Sequence, residues 1–409
     1  MLKERFKIRL RPVHVLAILF LIFITYVGIA AFPQFMMNSG KAFHEQQSLR
    51  SYIKTTNDQY SGMLETESEL PLLHNKGTYI DFNGLMAKAL GQPLMNDRIK
   101  LKNGHLAKVI PETTDIADIQ QAAANIIRFH NAHTVSGGKF LFVMVSSQIS
   151  RFEDLLPAGH TDTTNENADI FLTLLEEAGV TCLDLREELQ NDGISVTDAY
   201  YVTDHHWTPQ TGFWAYGKML EKLTQMGAME PVDPFYTDPK NYTFETHPDT
   251  FLGSSGKRTG KYYAGLDDSV IIRPNFETDI TVRIPLREMT LQGRYEDVSY
   301  NTDAKHNYDQ PDFYDENVYG LYGWGDTPIT HWRNENAPQK GKFLLIGESF
   351  SNIPFSLMSI VFSSCDEMDM RHFEEDFTAY YDSYQPDTII LAFNVDNVIS
   401  EFTDDVYLG

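Results

Sequence analysis

The stretch KFLLIGESFSNIPF, residues 342–355, decides the fold. Lys342 leads into four apolar residues, then Gly347, a mostly polar run from Glu348 to Asn352 interrupted by Phe350, and a second apolar stretch from Ile353. A short apolar stretch without polar alternation is how a strand reads in a parallel sheet covered on both faces. Gly347 permits a sharp turn, and NIPFSLMSIVFSS, residues 352–364, reads as the helix that follows. A strand, a Gly-x-Ser turn and a helix put Ser349 at the strand tip with its own N–H at a helix N-terminus. Such N–H groups, with the helix dipole, stabilise an oxyanion. The second glycine of a G-x-S-x-G elbow is absent, because residue 351 is Ser. Taken alone, the pattern leaves Ser349 either an exposed nucleophile or a helix cap.

Outward from this stretch, strands and helices alternate. KFLFVMVSS (139–147), VTCLDL (180–185) and DTIILAFN (387–394) are further apolar strands. Residues 115–133, 166–179, 208–225 and 374–384 read as helices, the first with Ile116, Ile119, Ala123 and Ile126 at helical spacing. Thr208 is the expected N-cap of the third, and Pro209 fills its first turn. NDRIKLKNGHLAKV (96–109) reads as a hairpin turning at Asn103-Gly104. Alternation stops at about 229–335, a region rich in Asp, Asn, Gly, Pro, Tyr and Trp with β-like pieces such as SVIIRP and DITVRIPL. The expectation is an α/β domain over 75–409, a doubly wound and mostly parallel sheet, with a large irregular or β insertion at 229–335.

The N-terminus carries Lys3, Arg5, Lys7, Arg9 and Arg11 ahead of an uncharged run. Its apolar part is about the ~20 residues that cross a bilayer as a helix. Basic residues before it place the tail inside. The reading is a cytoplasmic tail (1–12), a transmembrane anchor (13–37), a juxtamembrane segment (38–74) with a polar helix at 43–66, and an extracytoplasmic domain. A cleaved signal peptide is the rival, since Gly28-Ile29-Ala30 has a small-x-small form, but the apolar run continues past Ala30.

Composition excludes other classes. With 42% hydrophobic residues the chain is globular, and a formal net charge of −24 excludes a nucleic-acid binder, which needs clustered Lys and Arg. Cys182 and Cys365, the two cysteines, form no disulfide framework and no zinc spacing.

Sites in open α/β sheets lie at the carboxyl ends of strands, where TDHHW (203–207), GESFS (347–351) and FNVDN (393–397) fall. In an extended or turning loop Asp204 and His206 point one way and His205 the other. A carboxylate and an imidazole on one side suit a nucleophile's base and its orienter. Two other readings stay open: a purely structural His pair, and a metal held by Asp204 with both His, which needs a distant carboxylate because no third ligand stands at standard spacing. Asn394 lies at the end of a strand, where an Asn can form a turn. In the aromatic-rich insertion Trp324 and Trp332 are candidate stacking platforms for sugar rings, or else its hydrophobic seat.

Together TDHHWTPQTGFWAY (203–216), LLIGESFSNIPF (344–355) and MDMRHFEEDF (368–377) resemble the DHHW-motif proteins, which are in turn similar to alginate O-acetyltransferases of the AlgX and AlgJ type with SGNH-hydrolase-like domains. The matching runs cover roughly 75–230 and 340–400; the insertion matches nothing. The resemblance implies Ser349 as nucleophile, His206 as base and Asp204 as its orienter, with the Asp/His pair preceding the Ser in the chain as in the acetyltransferase group. Glu348 stands where the SGNH block usually has Asp. From the same resemblance Asn394, in preference to Asn397, could supply the oxyanion-hole Asn of the fold's third block. Arg371 matches the group's D-x-R-x-F run; it is read as a buried structural Arg paired with a carboxylate rather than a catalytic group, and is also a candidate substrate-binding residue. The resemblance also implies a polysaccharide acceptor and a membrane-bound O-acyltransferase as acyl-donor partner; no cofactor and no metal are expected. The function so read is a membrane-anchored serine O-acyltransferase of a cell-surface or secreted polysaccharide. A carbohydrate esterase with the same triad and a non-catalytic polysaccharide-binding assembly protein are the alternatives.

Overall fold

The computed structural model describes residues 18, 20–22, 25–26, 76–112, 114–301, 306–395 and 397–402. The chain divides into Met1–Tyr79 and Ile80–Gly409. Apart from Ile18, Phe20–Ile22 and Thr25–Tyr26, which are helical, the basic tail, the expected anchor and the juxtamembrane helix lie outside the described residues. No helix among the described residues is long and apolar enough to cross a membrane.

Helix α1 (Lys76–Ala89) precedes a small antiparallel sheet of β1 (Leu94–Met95), β2 (Arg98–Lys100) and β3 (Leu106–Ala107). The β2–β3 hairpin turns at Asn103-Gly104, with Gly104 N–H donating to the Leu101 carbonyl at 2.9 Å. Next come α2 (Ile116–Val135), β4 (Lys139–Val145), α3 (Thr164–Glu177), β5 (Thr181–Asp184) and α4 (Pro209–Gln225). The Thr208 side chain caps α4 by accepting from Thr211 N–H, and Pro209 occupies its first turn.

The chain then forms β6 (Tyr242–Phe251), β7 (Asp267–Pro274), β8 (Ile280–Ile284), β9 (Met289–Gly293), β10 (Ile329–Arg333) and β11 (Gln339–Gly347). Last come α5 (Asn352–Val361), β12 (Phe362–Met368), α6 (Phe377–Tyr384), β13 (Thr388–Asn394) and α7 (Val398–Phe402). The main sheet has eight strands in the order β5-β4-β13-β11-β12-β10-β8-β9. The first five are mutually parallel; β12–β10, β10–β8 and β8–β9 pair antiparallel. The sheet is therefore mixed, and the fold is an SGNH-like α/β arrangement.

Alternation along the buried strands feeds two cores. Leu141, Val143 and Val145 of β4, with Phe343 and Leu345 of β11 and Ile390 of β13, face one layer, which includes Phe213 of α4 and Phe355 of α5. Phe140, Phe142 and Met144, with Leu344, Ile346 and Leu391, face the other, which includes Ile126 of α2 and Phe171 of α3. Both faces are dry, which is why these strands lack polar alternation.

Two expectations need correction. The helix read over 352–364 stops at Val361, and 362–368 is β12, a central strand between β11 and β10. Nothing local ends the helix. The pairing of Cys365 with both Phe343 and Trp332 overrides the apolar continuity of Ile360, Val361 and Phe362. The 229–335 region is also less irregular than its composition suggests: β8, β9 and β10 lengthen the main sheet, and β6 and β7 form a two-stranded sheet.

Candidate active site

Residues 200–207 form a narrow loop. Tyr200 and Trp207 make an isolated antiparallel bridge, and Tyr201 N–H donates to the His206 carbonyl at 3.2 Å. The buried Asp267 carboxylate accepts from the N–H groups of Val202 and Thr203 and from the Thr203 hydroxyl, at 2.9, 2.8 and 2.6 Å. Gln148 donates its amide to the carbonyls of Tyr201 and Asp204, both at 2.9 Å. A loop with this many internal and imported hydrogen bonds presents its side chains in one geometry.

That geometry gives the two histidines different partners. His206 Nδ1 lies 2.5 Å from Asp204 Oδ1, and His206 Nε2 lies 2.7 Å from Ser349 Oγ. With Nδ1–H donating to the carboxylate, Nε2 is left to accept the Ser349 hydroxyl proton. The His206 ring stacks on Tyr319 with centroids 3.8 Å apart and planes 8° from parallel. His205 does not point to the opposite side as expected: its ring lies 3.8 Å from that of His206, and its Nδ1 meets the Ser254 hydroxyl at 2.8 Å and stands 3.5 Å from Asp204 Oδ1, with the side chain exposed. Asp204 Oδ2 accepts the Ser254 N–H at 2.6 Å. Gly253 is required here: a Cβ on it would stand 2.2 Å from Asp204 Cβ. Burial alone would push the Asp204 carboxyl up. The charges that His206 and His205 carry when protonated, and the hydrogen bonds from His206 and Ser254, outweigh burial and hold it well below the usual carboxylate range.

Ser349 opens a short 3-10 turn, Ser349–Ser351, that runs directly into α5. The first N–H groups of such a turn have no intrahelical partner. Gly347 lets the strand reverse into it, since a Cβ there would lie 2.1 Å from Ser351 Oγ. Glu348 is buried and accepts from Asn394 N–H at 2.6 Å and from the Asn397 amide at 2.8 Å, which ties the serine turn to the end of β13. Burial, partly offset by those two hydrogen bonds, pushes its carboxyl up to about 7.

A cleft of about 890 Å³ opens beside Ser349, with His205, His206, Tyr319, Trp324, Asn352 and Arg371 among its walls. Asn352 is 5% exposed, and its Nδ2 has no hydrogen-bond partner among the described residues. A buried donor left so costs about 1–3 kcal/mol.

Of the remaining candidates, Trp324 and Arg371 line the cleft, whereas Asn394 and Trp332 do not. Asn394 does not line the cleft; its amide donates to the Ser146 carbonyl at 2.7 Å, across the ends of β13 and β4. Trp332 is fully buried in β10, its indole N–H on Glu367 at 3.1 Å, so it offers no face to a sugar. Trp324 lines the cleft but is 1% exposed, with its N–H on the Val298 carbonyl at 2.7 Å and the Arg287 guanidinium 5.4 Å from its ring. Arg371 makes a two-point contact with Asp369, at 2.9 and 2.6 Å, and stands 3.6 Å from Asp326.

Among the described residues, two groups of side chains could offer ligands to a metal, Asp204 with His205 and His206, and Asp326 with Asp369 and His372. In the first, Asp204 Oδ1 and His206 Nδ1 are engaged with each other; in the second, the Arg371 guanidinium approaches both carboxylates. Asp267, Gln148, Gly253 and Ser254 were missed in the sequence. They come from scattered positions and carry no motif of their own.

The likeness read from the motifs is borne out. The family model described as SGNH hydrolase-like domain, acetyltransferase AlgX, matches residues 107–237, a stretch that holds Asp204 and His206 and stops short of Ser349. The structure of Bacillus cereus PatB1 superposes with a TM-score of 0.61 at 20% identity, covering 75% of this chain and 98% of that one. A DHHW family protein from Eubacterium siraeum gives a TM-score of 0.54 at 16% identity, covering 76% and 95%. These similarities are of fold. No curated protein matches the chain.

Proposed function

We propose that the domain is a serine O-acyltransferase that O-acetylates a cell-surface or secreted polysaccharide through an acyl-Ser349 intermediate. The observation that carries this reading is the unbroken line of contacts from Asp204 through His206 to Ser349 at 2.5 and 2.7 Å. Ser349 Oγ attacks the acyl carbonyl carbon while its proton passes to His206 Nε2, and the carbonyl electron pair moves onto oxygen. Collapse expels the donor's alkoxide, which leaves with that proton. A sugar hydroxyl then repeats the sequence on the acyl-serine, with His206 again as base. Asp204 holds the imidazole in the required tautomer and stabilises the imidazolium.

The acetyltransferase description of the matching family model supports acyl transfer as the reaction class. The polysaccharide acceptor and a membrane-bound O-acyltransferase as donor partner follow from the family likeness. The basic N-terminus ahead of an apolar run supports a single-pass anchor with the domain outside the cell.

The test is trapping with p-nitrophenyl acetate. Wild type is expected to acetylate on Ser349 and Ser349→Ala to remain unlabelled. An added oligosaccharide should divert acetyl from water to sugar. Acetate release insensitive to every sugar makes the protein an esterase, and equal activity in Ser349→Ala leaves a polysaccharide-binding protein.

A further inference from the structure

An acyl transfer through Ser349 needs a donor for the oxyanion formed on the carbonyl oxygen, and the Asn394 amide is committed to the Ser146 carbonyl and does not line the cleft. Asn352 is the third residue after Ser349, and positions three apart in a helical run share a face with Cβ atoms about 5–6 Å apart. It lines the same cleft as Ser349 and His206, is 5% exposed, and holds an Nδ2 without a hydrogen-bond partner among the described residues. Buried polar side-chain atoms are paired in the great majority of cases, and an unpaired one calls for a cause. A donor kept waiting for a charge that exists only during reaction is such a cause.

We propose that the Asn352 side-chain amide is an oxyanion donor for the acylation and deacylation of Ser349. This rests on the acyltransferase reading above. As the Ser349 Oγ–carbon bond forms, the carbonyl π pair moves to oxygen and is received by Asn352 Nδ2–H together with N–H groups at the start of the serine turn. The contact weakens when the C=O bond re-forms and the leaving alkoxide takes the proton from His206. A donor used only in the tetrahedral state lowers kcat and leaves KM largely alone when it is removed.

A structural role makes the opposite forecast. Asn352 also borders a cavity of about 10 Å³ behind the turn, beside Glu348 and Glu367, close to the size that holds one water. If the amide serves to bind that water, removing it harms folding rather than catalysis.

The test uses Asn352→Leu, which keeps the branched shape without the donor, and Asn352→Ala, each compared with wild type and Ser349→Ala. Rates of Ser349 acetylation by p-nitrophenyl acetate, KM and thermal midpoint are measured. Both variants are expected to acylate about 100- to 1,000-fold more slowly. KM should stay within about three-fold, and the Leu variant should melt no lower than wild type. Acylation within about five-fold of wild type in the Leu variant overturns the assignment. So does a lowered midpoint in both variants with kcat preserved per folded molecule. If wild type itself forms no acetyl-Ser349, the acyltransferase reading falls and takes this one with it. A reactive wild type with an equally reactive Leu variant removes Asn352 alone.

Discussion

Glu348 reaches from the serine turn to the Asn394 N–H at 2.6 Å, so the residue before the candidate nucleophile is bonded to the end of the neighbouring strand β13. Burial pushes this carboxyl from its usual 4.5 up to about 7. Between those values the folded protein holds a proton that the unfolded chain has released. Stability contributed by the neutral form is complete below about pH 4.5 and falls as pH rises towards 7, by about 3 kcal/mol in all. Glu348→Gln keeps an acceptor for Asn394 and cannot ionise. Urea midpoints from pH 4.5 to 8 are expected to slope less steeply in Glu348→Gln than in wild type. Glu367, which burial pushes up to about 8, adds a slope of the same sign to both proteins, so the difference between them isolates Glu348. Parallel curves reject this account.

Asp204→Asn tests the orienting role of the carboxylate. An amide can donate to Nδ1, which then presents Nε2–H to Ser349 and leaves no base on the nucleophile. Acylation is expected to fall by about 10⁴-fold with the circular dichroism spectrum unchanged. His205, turned to Ser254 and exposed, should behave differently; His205→Ala is expected to stay within about ten-fold of wild type. A larger loss for His205→Ala than for Asp204→Asn reverses the assignment of the two histidines.

Gly253→Ala puts a methyl 2.2 Å from Asp204 Cβ, and backbone flanks it at 2.6 Å. Turning the Asp204 carboxylate aside does not relieve the contacts with its Cβ and Cα, so the 203–206 loop must shift. The expected cost is about 1–3 kcal/mol of stability, with acylation lost beyond that because His206 loses its alignment on Ser349. Calorimetry beside single-turnover labelling measures both, and an unchanged melting point refutes the forced contact.

What was legible in the sequence follows from how local each signal is. Asp204 and His206 sit two apart on one loop, and Ser349 sits on a strand–turn–helix, so both halves of the site could be placed before their meeting was seen. β4, β11 and β13 were legible because they are buried on both faces. The missed β12 follows an apolar helix without a break, and its strand state comes from partners on either side, Phe343 and Trp332 against Cys365. Asn394 was read from the family likeness, yet its amide is drawn to Ser146; Asn352 lies within the quoted GESFSNIPF run but was given no role there, and it emerged only from an Nδ2 without a partner among the described residues. The props of the 203–206 loop, Asp267 and Gln148, lie more than fifty residues from it in sequence, and nothing near them announces the contact.

Trp332 separates a sugar-binding role from a packing role. Its neighbours across the sheet are Cys365 on β12 and Val282 on β8, it is wholly buried, and its indole N–H holds the Glu367 carboxylate at 3.1 Å. Trp332→Ala opens a cavity between strands and is expected to cost about 3–5 kcal/mol. Trp332→Phe fills more of the space but strips Glu367 of its donor. Its penalty should grow as pH rises through about 8, where the wild-type carboxyl ionises and most needs that hydrogen bond. Neither change should alter the affinity of the folded protein for an oligosaccharide. Titration calorimetry of Trp332→Phe below its melting temperature decides the matter: a weakened sugar with an unshifted melting point would put this indole at the substrate.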